Sequence, residues 1–193
     1  MIKSMEELFR LVILLNEVSG NLKAILRFSD PDGPSGRSGW SFGLCQFDTK
    51  HNDAALACLH ECGCTESDIH SIVNQLPGSK ELASKLKADI VARYDQAQLS
   101  RCLYSALNVT TSKGIVVVDT AAILALADYV NQYGSIGNQF ADYLNACDLD
   151  KPVDIHEIQK WKLTTKYGKE HPDDCNRRYN NILSVLKKEG INI

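Results

Sequence analysis

Two carboxyl-bearing segments near the N-terminus have the residue types for acid–base chemistry. Glu17 follows the apolar run Leu11-Val12-Ile13-Leu14-Leu15 and Asn16, and it precedes Val18, so its neighbours disfavour the charged form of its side chain. Asp30 and Asp32 lie in Ser29-Asp30-Pro31-Asp32-Gly33-Pro34-Ser35-Gly36, a polar, Gly-rich stretch where water and backbone amides stabilise a carboxylate. Cleavage of a glycosidic bond needs this combination. A carboxyl that keeps its proton protonates the leaving oxygen, while an ionised one activates water or supports the positive charge developing on the ring. Asp48 is a third candidate, with capping of the following helix as its alternative role. Asp30 and Asp32 also have an alternative as turn formers, because Asp-Pro and Asp-Gly are turn dipeptides.

The elements that must hold these groups are legible in the pattern. Ser4-Met5-Glu6-Glu7 has the form of a capping box, and Leu8, Leu11, Val12 and Leu15 recur at helical spacing. A first helix is therefore predicted from about Met5 to about Val18, stopped at Gly20, with Glu17 in its last turn. Two strand-like runs, Ala24–Phe28 and Trp40–Phe47, flank the turn-rich stretch and predict an irregular β-hairpin with a broad loop. From Asn52 onward the pattern is helical, with six or seven helices expected and caps at Thr65, Ser79, Asp119 and Asp154. Ile115-Val116-Val117-Val118 fits either a short buried strand or an extended lead-in to Asp119. With 44% hydrophobic residues, twelve Gly and five Pro, and no repeat or linker, residues 1–193 read as one mainly α (α+β) domain with one small β-hairpin.

Other chemistries find less support. The formal net charge is −3 and charged residues make up 23% of the chain, so there is no electrostatic footprint of a nucleic-acid binder. Seven cysteines form an odd set, and Cys58-x3-Cys62-x-Cys64 lacks the paired knuckles of structural zinc sites, so free thiols are expected and no metal. Asp-x-Asp-Gly hints at calcium, yet Ser41 stands at the twelfth position where a Glu would be needed. His60, His70, His156 and His171 have no paired nucleophile, and Ser35–Gly39 lacks the spacing of a nucleophile elbow. Lys160, Lys162, Lys166, Lys169, Arg177, Arg178, Lys187 and Lys188 read as solvated helix faces, with attachment to an anionic wall as the alternative.

Glu17, followed after a gap by Ser38-Gly39-Trp40-Ser41-Phe42-Gly43-Leu44-Cys45-Gln46, resembles the pattern of the lysozyme-like superfamily. Gly43-Leu44-Cys45-Gln46 is similar to the Gly-Leu-Met-Gln motif of lytic transglycosylases, with Cys45 in place of Met. The spacer carrying Asp30 and Asp32 is longer than theirs and looks closer to phage-type endolysins and chitosanases. Ala127-Asp128-Tyr129-Val130-Asn131-Gln132-Tyr133 resembles an Asp-Tyr-His-Asn-Gln segment of such proteins, with Val130 in place of His. The resemblance covers roughly residues 10–60 and 119–135.

It implies a peptidoglycan muramidase that works without cofactor or metal, with Glu17 as acid and Asp32 or Asp30 as second carboxylate. Ser38, Gln46, Asp48, Tyr129, Asn131 and Gln132 would contact substrate, with Asp128 beside them. Gln46 has hydrogen bonding within the hairpin as its alternative, and Trp40 has core packing as the alternative to stacking on a sugar. A lytic transglycosylase and a chitosanase-like hydrolase are the rival activities; an inactive glycan-binding module and a helical adaptor for protein partners are the rivals from other classes. The chain carries no signal-peptide pattern and no run of the about 18 apolar residues that spans a bilayer. It is thus expected to be made in the cytoplasm and to act on the cell wall in the periplasm or outside. A holin, a secretion machine or a phage particle would deliver it, and an immunity protein would be a further partner.

Overall fold

Ser4 and Glu7 open the first helix as a reciprocal pair: the Ser4 amide donates to the Glu7 carboxylate at 2.7 Å, and the Glu7 amide donates to Ser4 Oγ at 3.2 Å. The helix they start, α1, spans Met5–Val18. Ser19 and Gly20 then take left-handed backbone angles, φ 52° and 76°, and end it. The computed structural model describes residues 3–31, 33, 36–112, 117, 119–146 and 152–191. After α1 come the strands β1 (Ser41–Phe42) and β2 (Phe47–Asp48), then α2 (Asp53–Glu61), α3 (Glu66–Val73), α4 (Ala88–Ser112) and α5 (Thr120–Tyr133). α6 (Gln139–Ala146), α7 (Ile155–Thr164), α8 (Lys166–Glu170) and α9 (Pro172–Lys188) complete the order. The protein is mainly helical, 68% of it, with one small antiparallel sheet among the described residues.

Two compact units emerge, Met1–Asn16 with Leu99–Ile193, and Glu17–Gln98. In the first, α5 is the central element: every residue from Ala121 to Val130 is buried, so it is enclosed on all sides. α7 and α9 pack on it and on each other, and Trp161, Phe140, Leu124 and Leu126 fill the space between helices. Asp119 and Asp154 cap α5 and α7 as expected, through the amides of Ala122 and Glu157. Val117 forms a parallel bridge with Val153; Ile115, Val116 and Val118 lie outside the described residues.

In the second unit Phe28, Phe42 and Phe47 form the centre, with ring centroids 5.8 Å apart from Phe28 to Phe42 and from Phe42 to Phe47. The hairpin differs from the one predicted. Residues 24–28 are not a strand, because Asn21 caps a 3-10 turn at Leu22–Ala24 and only Ser29 bridges Ser41. The whole hairpin is built from the second run, as Ser41 pairs with Asp48 and Phe42 with Phe47 around the turn Gly43–Gln46. Thr65 and Asp68 form the expected capping box of α3. Ser79 is no helix cap; it starts a 3-10 helix, Ser79–Lys85, and its hydroxyl accepts the Trp40 indole N–H at 2.9 Å. Eight α-helices follow Asn52 among the described residues, more than the six or seven expected, because Thr165 takes an extended conformation and divides α7 from α8.

Gly43 is where the hairpin has no tolerance. Its φ is 79°, and a Cβ there would stand 2.9 Å from both Asp95 Oδ1 and the Phe47 ring. Gly63, at φ 92°, has nothing within 4 Å of its virtual Cβ. Gly43→Ala is therefore expected to cost about 1–3 kcal/mol of stability, and visibly more than Gly63→Ala, which carries the backbone strain alone. Urea unfolding of both variants checks this; equal losses would show that the turn relaxes without effort.

Candidate active site

Glu17 stands half-buried in the last turn of α1, where the pattern places it, and it belongs to the same unit as the hairpin. Asp30 follows the Ser29 bridge directly. The Ser29 and Ser41 amides and carbonyls pair at 2.8 Å in both directions, which holds this part of the loop against β1. The Asp30 carboxylate is half-buried overall, but its Oδ1 is sealed from solvent and has no hydrogen-bond partner among the described residues. A buried, unpaired carboxylate oxygen is costly, so folded proteins hold few of them. Asp32, the alternative second carboxylate, lies outside the described residues.

Around these carboxylates the hairpin is held by its own side chains. Gln46, at a left-handed φ of 53°, donates through Nε2 to the Gly43 carbonyl at 2.8 Å and accepts the Ser29 hydroxyl at 2.5 Å. Its amide thus closes the turn and ties the loop to it. Asp48 does not cap α2, whose N-cap is Asn52. Instead Asp48 Oδ1 accepts the amides of Gly39 and Lys50, at 2.9 and 2.8 Å. Gly39 has to be Gly for this approach, since a Cβ would meet Thr49 Oγ1 at 2.5 Å. Trp40 stacks on Phe28 at 6.3 Å, so its ring is committed to packing on at least one side. Ser38 is half-buried beside Gly39.

One residue central to this arrangement, Asp95 of α4, was not singled out from the sequence. It is 1% exposed, and its two carboxylate oxygens accept the amides of Leu44 and Cys45 at 2.9 and 3.0 Å. The Gly43-Leu44-Cys45-Gln46 turn is thereby latched to a helix by charge-assisted bonds. A signal for it exists in the pattern: Val91, Asp95 and Leu99 fall at i, i+4 and i+8, so Asp95 occupies a position that periodicity assigns to the core.

Tyr129, Asn131 and Gln132 belong to the other unit. Tyr129 is 6% exposed and packs on Trp161 at 4.6 Å, and Gln132, with its amide oriented to satisfy both groups, accepts two N–H bonds from Arg178. Asp128 beside them is fully enclosed and engaged by Asn16, Lys162 and Arg178. The thiols of Cys45, Cys58, Cys62, Cys64, Cys102 and Cys175 are free and buried. Burial raises the Cys58 thiol, with the neighbouring Cys62 adding to it, and pushes Cys102 up to about 12, so both stay protonated at neutral pH. Among the described residues no three His, Cys, Asp or Glu side chains are grouped to hold a metal ion, and no helix is long and apolar enough to cross a membrane. No family model matches the chain, and neither does any curated protein or solved structure.

Proposed function

We propose that the chain cleaves glycosidic bonds in a cell-wall amino-sugar polymer, hydrolysing the β-1,4 link of peptidoglycan. Glu17 donates the proton to the leaving oxygen, and Asp30 is the ionised partner that activates water or supports the ring cation. The observation that carries this reading is that the half-buried Glu17 and Asp30 belong to one unit with the Gly43–Gln46 hairpin, the loop of Asp30 being held to β1 by the Ser29–Ser41 bridge. Gln46 and Asp48 support the site by holding the hairpin, since their amide and carboxylate are spent on Gly43, Ser29, Gly39 and Lys50.

The test is turbidity clearance of purified cell walls, combined with analysis of the ends produced. New reducing ends that fall by about 10²-fold or more in Asp30→Asn are expected. Anhydromuramyl ends would replace hydrolysis by transglycosylation, and cleavage of chitosan but not of peptidoglycan would move the substrate. A loss in Asp32→Asn with full activity in Asp30→Asn would overturn the assignment of the second carboxylate.

A further inference from the structure

A cavity of the unit that contains α5 has an unusual lining. It measures about 570 Å³, and Tyr129, Tyr133 and Tyr167 form one wall of it. Gln139, Lys166 and Glu170 stand around the rim, with Thr165 beside them. Neither Glu17 nor Asp30 lines it. Tyr129 and Tyr133 are one helical turn apart on α5 and lie 4.5 Å centroid to centroid, with planes tilted by 40°. Tyr167 meets Tyr133 edge-on at 5.7 Å, with planes 67° apart. Tyr133 remains 40% exposed although it is a large ring in a packed aromatic cluster.

The geometry discriminates between ligand classes. Tyr133 touches both Tyr129 and Tyr167, so the rings make a wall and not the cage that takes a quaternary ammonium. A pyranose lays its C–H face against the face of an aromatic ring, and Tyr133, the most exposed of the three, is the ring placed to offer one. The rim carries one ammonium and one carboxylate, Lys166 and Glu170, and among the described residues neither is in an ion pair. That balance does not select a phosphate, which calls for clustered positive charge. It suits a neutral sugar whose hydroxyl and acetamido groups need both donors and acceptors, and the Gln139 amide offers one of each. Burial, with Asp174 adding to it, pushes the Tyr167 phenol up to about 12, so the wall stays uncharged across the physiological range.

From these features we infer that this cavity is a glycan-binding site for an N-acetylated hexosamine chain, with Tyr133 as its stacking platform and Lys166, Glu170 and Gln139 as its polar rim. It goes beyond the cleavage reading, because it needs no reaction to occur and its residues all lie outside the unit that carries Glu17. Calorimetric titration of the Glu17→Gln protein with chitotetraose, and separately with soluble uncrosslinked peptidoglycan strands, tests it. Saturable binding that weakens about tenfold or more in Tyr133→Ala, with the circular dichroism spectrum unchanged, and is kept in Tyr133→Trp is expected. Binding of both glycans assigns recognition to the N-acetylglucosamine face they share; binding of peptidoglycan strands alone assigns it to the muramyl residue. No saturable binding of either glycan, or equal affinity in Tyr133→Ala, overturns the site. Tyr133-dependent binding by a parent protein that cleaves neither glycan would leave this site standing and sink the cleavage reading. Cleavage with binding indifferent to Tyr133 would do the reverse.

Discussion

Glu17→Gln is expected to lower the rate of wall clearance by about 10²–10⁴-fold while leaving the fold intact. The amide has the size and shape of the carboxyl, so the last turn of α1 and the left-handed Ser19 and Gly20 that follow have no reason to rearrange. What disappears is the proton that the leaving oxygen needs. Glu17→Asp separates the two components of the role. It keeps the acid but withdraws it by one methylene, and a displacement of about 1 Å at a reacting centre costs about 10²-fold. The expected order is therefore parent, then Glu17→Asp, then Glu17→Gln, measured as reducing ends released per unit time, with all three proteins sharing one circular dichroism spectrum. Clearance by Glu17→Gln at the parent rate would remove Glu17 from the chemistry, whatever the stability of the variant.

Local signals carried much of this fold. Where a single side chain satisfies a backbone amide three residues away, the sequence contains the whole interaction, and the starts of α1, α3, α5 and α7 at Ser4, Thr65, Asp119 and Asp154 were all legible for that reason. The hairpin was only partly so. Its existence follows from the turn residues, but its register depends on Asp95, about fifty positions along the chain, reaching the amides of Leu44 and Cys45. Ser79 shows the same limit, because the indole of Trp40 takes its hydroxyl and this pairing is invisible to a local cap rule. In the candidate site, the position of Glu17 in the last turn was legible from periodicity. The unpartnered oxygen of Asp30 was not, since a sealed atom is a property of what packs around it. The missed clues share one form: a charged residue on a face that periodicity reserves for apolar ones. Asp95 lies on the face of Val91 and Leu99, and Arg178 on that of Cys175 and Ile182. Such residues mark where a fold has built a polar contact into its core.

Asp128→Asn is the second large effect, expected to cost about 3–5 kcal/mol because it removes one charge from a buried cluster and leaves its partners in place. Asp128 Oδ1 accepts Arg178 Nη1 and Asn16 Nδ2, both at 2.9 Å, and its Oδ2 accepts Lys162 Nζ at 3.3 Å. Lys162 and Arg178 are 3% and 6% exposed, so neither cation gains water in compensation when the carboxylate is lost. Arg178 keeps Asp174 at 3.1 Å, which makes Lys162 the more exposed to the loss in energetic terms. Combining Asp128→Asn with Lys162→Met is accordingly expected to recover part of the deficit, a non-additivity that urea unfolding of the two single variants and the double variant reads directly. A cost under about 1 kcal/mol for Asp128→Asn would show that the cluster does not hold α1, α5, α7 and α9 together. The pH dependence follows from the same contacts. Burial pushes the Asp128 carboxyl up, but Arg178 and Lys162, with the Asn16 amide, outweigh it and leave the group below the usual carboxylate range. A carboxylate lowered in the folded state contributes its stability above its unfolded value of about 3.9, and loses it as the pH falls through the folded value. The stability gap between the parent and Asp128→Asn should thus be full at pH 7 and narrow as the pH is taken below about 4, because protonation in the parent then removes the charge that the substitution removes at every pH.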